Sequence, residues 1–171
     1  QSMPLSLQRV EAVRTFRLAS KSAPTQKLAE NPTRFHVENV PTSTYMLIPR
    51  VSSERRRFIP MGYIDSTTMT SDSAHIVIGT TPFHFGLLSS TMHNAWVRST
   101  CGRLESRYRY SKDIVYNNYP WPKAPSAGAR QTVEAAAQGV LDARSQYADK
   151  SLAWLYNPET MPAPLRDAHD T

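Results

Sequence analysis

The sequence has a single cysteine, Cys101, among its 171 residues. One thiol cannot form an internal disulfide, and it excludes zinc sites that need several cysteines. No apolar run approaches the ~18 residues of a membrane-spanning helix, and the first residues lack the apolar segment of a signal peptide. We therefore expect a cytoplasmic protein without a membrane partner, since a reducing compartment suits this cysteine usage.

Glycine is also scarce, and its six occurrences are scattered singly, at positions 62, 79, 86, 102, 128 and 139. This spacing excludes the glycine-rich loops that bind dinucleotides or nucleotide phosphates. The five histidines show no metal-ligand spacing, and Ser89 and Ser90 lack the Gly-x-Ser-x-Gly context of a nucleophile. The string "NNYPWP" differs from the Asn-Pro-Pro-Tyr loop of amino-methyltransferases, because Tyr119 follows Asn118. We expect no catalytic residue, metal or cofactor in this chain.

Positive charge is concentrated in the middle of the chain, which carries a net charge of +6 overall. Residues 50–112 hold nine basic side chains against four acidic ones. Residues 123–171 hold five basic and six acidic side chains. A partner that carries phosphates would therefore contact the middle of the chain rather than its end.

The pattern of apolar residues predicts an α+β fold. Helical spacing at Leu7, Val10, Val13 and Phe16 predicts a helix over residues 5–21, followed by a polar connector with room for one helical turn. Four short runs rich in β-branched and aromatic residues predict strands: "RFHVENV", "TYMLIPRV", "RRFIPMGYI" and "AHIVIGT". The segment "VSSERRR" lies between two of them and is interpreted as a hairpin tip.

Helical spacing returns at residues 83–102, where Phe85, Leu88, Met92, Ala95 and Trp96 share a predicted face and Gly102 is the predicted stop. In the next segment, "RLESRYRYS", charged residues alternate with other residues, which is the pattern of a single strand. After the proline-rich breaker "PWPKAPSAG", the remaining sequence predicts an Ala-rich helix, a short helix and the start of another. We interpret residues 1–3 as an expression-tag remnant, 4–122 as a small mixed or antiparallel sheet with flanking helices, and 123–171 as a truncated helical tail.

Two basic clusters are candidates for binding nucleic acid. The first is "SSERRR", residues 52–57, whose three consecutive arginines cannot all face a core. Guanidinium groups match phosphates and the guanine edge in a bidentate manner, and Ser52 and Ser53 can donate to phosphates. The alternative is a solvated turn.

The second cluster is "RLESRYRYSKD", residues 103–113. As one strand it would place Arg103, Glu105, Arg107 and Arg109 in a row about 6.6–6.8 Å apart. A carboxylate within a basic row suits a cytosine amino group and repels phosphate. The alternative is an exposed strand whose Glu105 pairs with its neighbours.

Four long segments carry a resemblance to a known family: "RVEAVRTFRLASKS…T" at 9–25, "IPRVSSERRRFIPMGY" at 48–63, "FHFGLLSSTMHNAWVRSTCGRLESRYRYSKDIVYNNYPWP" at 83–122 and "VLDARSQYADKSLAWLYNPETMPAPLRDAH" at 140–169. Together they resemble the C-terminal region of single-chain adenine-N6 DNA methyltransferases, the type IIL, MmeI-like restriction–modification enzymes and their phage-defence relatives. In that family the region comprises a target recognition domain and a small helical part.

The resemblance implies that the chain recognises double-stranded DNA without modifying it. The S-adenosylmethionine site, the Asn-Pro-Pro-Tyr loop and any nuclease would lie in an upstream methyltransferase domain, which is also an implied partner. It assigns base reading to the region of Arg55, Arg56, Arg57, Arg103, Glu105, Arg107 and Arg109. With residues added from charge and position, the predicted DNA contacts are Ser52, Ser53, Arg55, Arg56, Arg57, Arg98, Arg103, Glu105, Arg107, Arg109 and Lys112.

Two other functions stay open at this stage, a small nuclease and a protein-interaction scaffold for phage defence. The lack of clustered carboxylates for Mg²⁺ disfavours the nuclease. The string "SKDIVYNNYPWP" is expected to close the recognition domain, with Tyr116, Tyr119 and Trp121 packed at a seam rather than stacked on DNA bases.

Overall fold

The computed structural model describes residues 3–38 and 40–171. Gln1, Ser2 and Asn39 lie outside the described residues, and with them two of the three positions interpreted as a tag remnant. The chain divides into two compact units, residues 1–40 and 41–171. The fold is α+β, as predicted, with two small antiparallel sheets, flanking helices and a helical C-terminal region.

The first unit is helical. Helix α1 spans Pro4–Leu18, helix α2 spans Ala23–Lys27, and a 3₁₀ turn follows at Leu28–Glu30. The predicted first helix is confirmed, with its end three residues earlier, and so is the helical turn in the connector. Arg17 of α1 fixes this turn, because its guanidinium donates to the carbonyls of Leu28 and Asn31, both at 2.9 Å.

The strand predicted over "RFHVENV" is wrong for residues 34–38 and 40, which form no strand, while Asn39 lies outside the described residues. Local polar contacts replace sheet pairing. The Glu38 carboxylate accepts a hydrogen bond from the Phe35 amide at 3.0 Å and pairs with the Arg34 guanidinium. A side chain that satisfies a backbone donor in this way competes with strand formation.

The second unit contains both sheets. Strands β1 (Tyr45–Pro49), β3 (Gly62–Ile64) and β4 (Ala74–Val77) form the first, in the order β3-β1-β4. Strands β2 (Val51–Ser52), β5 (Gly102–Leu104) and β6 (Arg107–Arg109) form the second, in the order β2-β6-β5. All pairings are antiparallel.

Arg50 is the point at which the chain passes from one sheet to the other. Its amide donates to the Ser73 carbonyl at 2.9 Å, and its carbonyl accepts from the Tyr110 amide at 2.8 Å. The predicted strand "TYMLIPRV" is therefore split between two sheets. The predicted hairpin tip at "VSSERRR" is corrected, because β2 pairs with β6 and not with β3.

Only the last three residues of "RRFIPMGYI" form a strand, β3. Pro60 has no amide to donate to a ladder, and the Ile59 amide instead donates to the Asn94 side-chain oxygen at 2.8 Å. Phe58, Ile59 and Met61 are buried in the core rather than paired.

The helix predicted over residues 83–102 is two helices, α3 (Pro82–Ser89) and α4 (Thr91–Thr100). Ser90 between them is extended, and its hydroxyl caps α4 by accepting from the His93 amide at 3.1 Å. This break rotates the buried face. Met92 is 61% exposed and Ala95 is exposed as well, whereas α4 buries His93, Asn94 and Val97. The predicted common face thus fails at Met92 and Ala95, whereas Trp96 packs against the core. Gly102 begins strand β5 rather than ending a helix.

A π-helical turn at Lys112–Tyr116 follows the second sheet. The predicted helical tail is confirmed as α5 (Ala127–Ser145), α6 (Leu152–Leu155) and α7 (Ala163–Asp170). Helix α5 packs closely on α3 at Gly86, where an added Cβ would lie 2.7 Å from Val133 Cγ1.

One hydrophobic core joins the sheet region to the tail. It combines Met46 and Ile48 of β1 with Phe85 of α3, Val140 of α5 and Leu165 of α7. The predicted domain boundary at residue 122 stays a prediction, and residues 41–171 form one compact unit across it.

Candidate nucleic-acid interface

The second basic cluster folds as a hairpin rather than as one strand. Strands β5 and β6 pair antiparallel with Leu104 opposite Arg107, and Glu105 and Ser106 form the two-residue loop between them. The predicted row of four charged residues on one face is therefore wrong, because the chain reverses direction in its middle.

The hairpin has an exposed face and a buried face. Cross-strand partners in an antiparallel pair point to the same side. Arg107, Arg109, Leu104 and Val51 therefore share one face, and both arginines on it are exposed. This exposed hairpin face presents both arginines to a ligand.

Arg103 lies on the other side of the hairpin, opposite Tyr108. Its guanidinium carbon sits 4.2 Å from the centre of the Tyr108 ring, which is only 7% exposed. This cation–π contact covers the ring. Arg103 also donates to the Ser106 carbonyl at 3.2 Å, so it braces the hairpin loop. Its predicted contact with DNA stays a prediction, but it does not share a face with Arg107 and Arg109.

Glu105 occupies the first position of the loop with a φ of 58°. Glycine is the preferred residue at the positive-φ position of a two-residue hairpin turn, and most other residues are strained there. The Glu105 carboxylate accepts from the Arg107 guanidinium at 2.8 Å, and its side chain is 77% exposed. The hairpin thus presents a carboxylate at its tip beside an exposed arginine.

The first basic cluster follows β2 as a loop. Ser52 lies within β2 and is 2% exposed, so its hydroxyl does not reach the surface that a phosphate would contact. The Ser53 hydroxyl accepts from the Arg55 amide at 3.2 Å and helps to shape the loop. Ser53 is half-buried and its predicted phosphate contact stays a prediction.

Acidic residues of the C-terminal helical region pair with two of the three consecutive arginines. Arg55 donates to the Glu159 carboxylate at 2.7 Å, and Arg57 forms a two-point ion pair with Asp170. Within residues 3–38 and 40–171, Arg56 forms no salt bridge. Binding to phosphate by Arg55 or Arg57 would therefore compete with these carboxylates, whereas Arg56 carries its charge without such a partner.

The two basic clusters lie together, as the predicted site requires. Strand β2, which leads into the arginine loop, pairs with β6 of the hairpin. Arg98 of α4 donates to the Arg57 carbonyl at 3.2 Å, and the Tyr108 hydroxyl donates to the Glu54 carbonyl at 3.5 Å. Lys112 lies after the hairpin, with its ammonium 2.6 Å from the Asp113 carboxylate.

Sequence reasoning missed Arg50 and His75, which line a cleft together with Arg109 and Lys112. Arg50 lay within a segment that resembled an ordinary strand, so its role as the junction of two sheets gave no local signal. The one sequence signal for Arg50 was its place in the basic stretch of residues 50–112.

The aromatic residues of "SKDIVYNNYPWP" pack against each other, as expected. The Tyr119 and Trp121 rings are 5.2 Å apart at nearly right angles, and Tyr119 is 5% exposed. The Trp121 indole donates to the Tyr116 carbonyl at 3.1 Å. These contacts confirm a structural seam at this point of the chain.

Burial shifts the pKa values of several ionisable groups. The pKa of His93 falls to about 4, because burial disfavours the charged imidazolium. The His93 Nε2 and the Tyr110 hydroxyl share a hydrogen bond at 3.0 Å, and burial raises the pKa of Tyr110. Burial also raises the pKa of the Cys101 thiol, and a raised pKa makes a thiol less reactive.

Within the part of the chain that the structure describes, no three His, Cys, Asp or Glu side chains form a group that could hold a metal ion. In the same part, no helix has the length and apolar character needed to cross a membrane.

Comparison with known proteins matches nearly the whole chain. The family model described as "MmeI, target recognition domain" matches residues 1–123, and the model described as "MmeI, C-terminal domain" matches residues 126–171. A curated relative from Bacillus subtilis (strain 168), "DNA methyltransferase A", is 36% identical over 170 residues, which are 99% of this chain and 19% of that protein.

A solved structure is similar as well, that of the type IIL restriction–modification enzyme MmeI in complex with DNA. It is 47% identical, with a TM-score of 0.91 over 98% of this chain and 22% of the MmeI chain. The chain thus spans about a fifth of the length of both relatives. It belongs to the MmeI family, of which it comprises the target recognition domain and the C-terminal domain.

Proposed function

We propose that this chain is the double-stranded DNA recognition module of a larger adenine-N6 DNA methyltransferase or restriction–modification enzyme. The observation that carries the proposal is the exposed hairpin face, where Arg107 and Arg109 lie beside the arginine loop of residues 53–57. The solved MmeI structure is a complex with DNA, which supports the same partner for this chain.

The chain has the two kinds of group that such a module needs. Arginines can bind phosphates and hold guanine in a bidentate manner, while a carboxylate can accept from cytosine. Arg107 with Glu105 supplies both at the hairpin tip, 2.8 Å apart. Phosphate contacts position the protein, and base-edge contacts specify the sequence. We assign base reading to this tip, and backbone contact to the surrounding arginines.

We further propose that the chain is not catalytic by itself. The S-adenosylmethionine site and the methyl-transfer groups would belong to the rest of the longer protein, whose methyltransferase domain is the second proposed partner. The scattered glycines of this sequence provide no cradle for such a cofactor. Because the substrate would be bacterial DNA, we propose that the protein acts in the cytoplasm.

Fluorescence anisotropy of the purified chain with labelled duplexes tests the proposal. With about six phosphate contacts, the slope of log K against log salt should be near −5. Added S-adenosylmethionine should not change the affinity, and added Mg²⁺ should not produce cleavage. Binding that is insensitive to salt, or no binding at low salt, would contradict the proposal and favour the protein-interaction scaffold. Cleavage in Mg²⁺ would favour the nuclease.

A further inference from the structure

An open cleft of about 330 Å³ lies where the two sheets meet. Its walls include Arg50 at the sheet junction, His75 of β4, Arg109 of β6 and Lys112 of the π-helical turn. Asp113 is the one acidic residue on these walls, and it pairs with Lys112. The charge of the cleft is therefore complementary to an anion.

Arg50 is held in place without losing its charge. Its backbone is fixed on both sides, by Ser73 and by Tyr110. Its guanidinium Nη1 donates to the Asp72 carbonyl at 2.8 Å. A carbonyl is a neutral acceptor, so it orients the guanidinium and leaves the positive charge available. Arg55 and Arg57 differ in this respect, since each pairs with a carboxylate.

The other walls are ordered in similar ways. His75 Nε2 lies 3.2 Å from the Tyr110 carbonyl, which holds the ring against the cleft. Arg109 lies on the exposed hairpin face and also lines the cleft, so the cleft is continuous with that face. Both side chains of the Lys112–Asp113 ion pair are well exposed. Exposed ion pairs are weak, so the ammonium can exchange its partner for a phosphate at little cost.

We propose that this cleft binds a phosphate of the DNA backbone and that Arg50 is its principal ligand. The inference rests on the proposed function, and it adds a positioning contact beside the base-reading hairpin. A planar guanidinium that is fixed in advance loses little conformational freedom on binding an oxyanion. Because every nucleotide carries the same phosphate, the contact contributes affinity and register but no sequence preference.

The test compares three variants with the wild-type chain by anisotropy across a range of salt concentrations. Arg50→Gln removes the proposed ligand, and Arg50→Lys keeps its charge. Arg166→Gln is the matched control, because Arg166 is an exposed arginine of α7 that makes one long contact, 3.3 Å to the Met161 carbonyl. Several unrelated duplexes are used, and thermal melting checks that each variant is folded. Lys112→Gln serves as a second probe of the cleft if Arg50→Gln does not fold.

With about six phosphate contacts, the wild type should lose roughly 2,000-fold in affinity between about 50 and 200 mM salt, and a variant with five contacts roughly 500-fold. We expect Arg50→Gln, and equally Lys112→Gln, to show this smaller loss and to bind all duplexes more weakly by a similar factor. Arg50→Lys and Arg166→Gln should keep the steeper dependence. Such a result would support a backbone-phosphate site.

Two results would overturn the inference alone, while the wild type still binds DNA. In one, Arg50→Gln, or Lys112→Gln in its place, has the same salt dependence as Arg166→Gln. In the other, calorimetry with inorganic phosphate alone detects a saturable site that Arg50→Gln abolishes, while duplex binding is unchanged. The cleft would then be a site for a free anion. If the wild type binds no duplex at low salt, the proposed function fails and the inference fails with it.

Discussion

Substitutions at Glu105 test whether this residue is required for DNA recognition or for the fold. The residue adopts a φ of 58° in the two-residue loop of the hairpin, where glycine is favoured. Strained positions persist where the surrounding structure or a function requires them. We therefore expect Glu105→Gly to leave the fold intact and to change DNA recognition.

The expected effect on stability is small. The left-handed conformation costs about 1–2 kcal/mol for a non-glycine residue, and glycine would remove this cost. Two costs oppose this gain. The greater freedom of glycine in the unfolded chain costs about 0.4–1 kcal/mol, and loss of the exposed ion pair with Arg107 costs up to ~1 kcal/mol. The net change lies between a loss of about 1 kcal/mol and a gain of about 1.6 kcal/mol. For a chain of this size this range corresponds to a change in Tm between a fall of about 4 °C and a rise of about 6 °C.

The expected effect on recognition is larger. A lost or altered base-edge contact costs about 1–3 kcal/mol at one base pair, which is roughly a 5- to 150-fold change in preference. Glu105→Lys should change which base pair is preferred at one position, because an ammonium donates where a carboxylate accepts. Glu134→Lys of α5 makes the same change in charge away from the hairpin, and it should alter affinity without altering preference.

The assay has two arms. Thermal melting of the purified chain measures stability, and genome-wide mapping of methylated sites measures recognition after each substitution is placed in the full-length enzyme. If Glu105→Gly lowers Tm by more than about 4 °C, the carboxylate is kept for the fold. If Glu105→Lys leaves the recognised sequence unchanged, the base-reading role of the hairpin tip is wrong.

Two further predictions concern the core that joins the sheets to the tail. Arg144 is 9% exposed and donates to the Met61 carbonyl at 2.7 Å and to the Tyr156 hydroxyl. Arg144→Met should therefore destabilise the chain by roughly 2–5 kcal/mol in urea unfolding, since two buried acceptors lose their donor; a loss below about 1 kcal/mol would contradict this. The pKa values of His93 and His169 are both about 4, chiefly because of burial, while an unfolded histidine titrates near 6.5. Stability should thus be complete above about pH 6.5 and be lost as pH falls toward 4, by about 2 kcal/mol per histidine at pH 5. Equal stability at pH 7 and pH 5 would refute the assignment.

The sequence by itself determined the class of fold and the surface to inspect. Helix α5 was predictable because an Ala-rich amphipathic pattern follows the breaker "PWPKAPSAG", in which its cap residue Ser126 lies. Strand β4 was predictable from a short β-branched run between turn residues. The concentration of arginine in the middle of the chain, and the long segment at 83–122 that resembles MmeI-like enzymes, were enough to predict DNA recognition.

Tertiary structure decided where the regular patterns break. The alternation of residue types in "RLESRYRYS" is the same for one strand as for two strands of a hairpin. The segment also lacks the glycine or asparagine that marks a hairpin turn. Pairing of Val51 with Arg109 determines the outcome, because β2 joins the far strand of the hairpin. In the same way, a helical period continues across Ser90, and only the packing of α3 and α4 shows that the chain turns there.

Tertiary structure also decided which arginines pair with an acidic side chain. Arg55, Arg56 and Arg57 are equivalent in sequence, but Arg55 meets Glu159 and Arg57 meets Asp170, which lie 104 and 113 residues away. Arg50 looked like an ordinary strand residue, yet it lies at the junction of two sheets, where its guanidinium donates to a backbone carbonyl and, within residues 3–38 and 40–171, forms no salt bridge. Local sequence records how many charges a segment carries. Which of them can bind a phosphate depends on the acids that folding brings beside them.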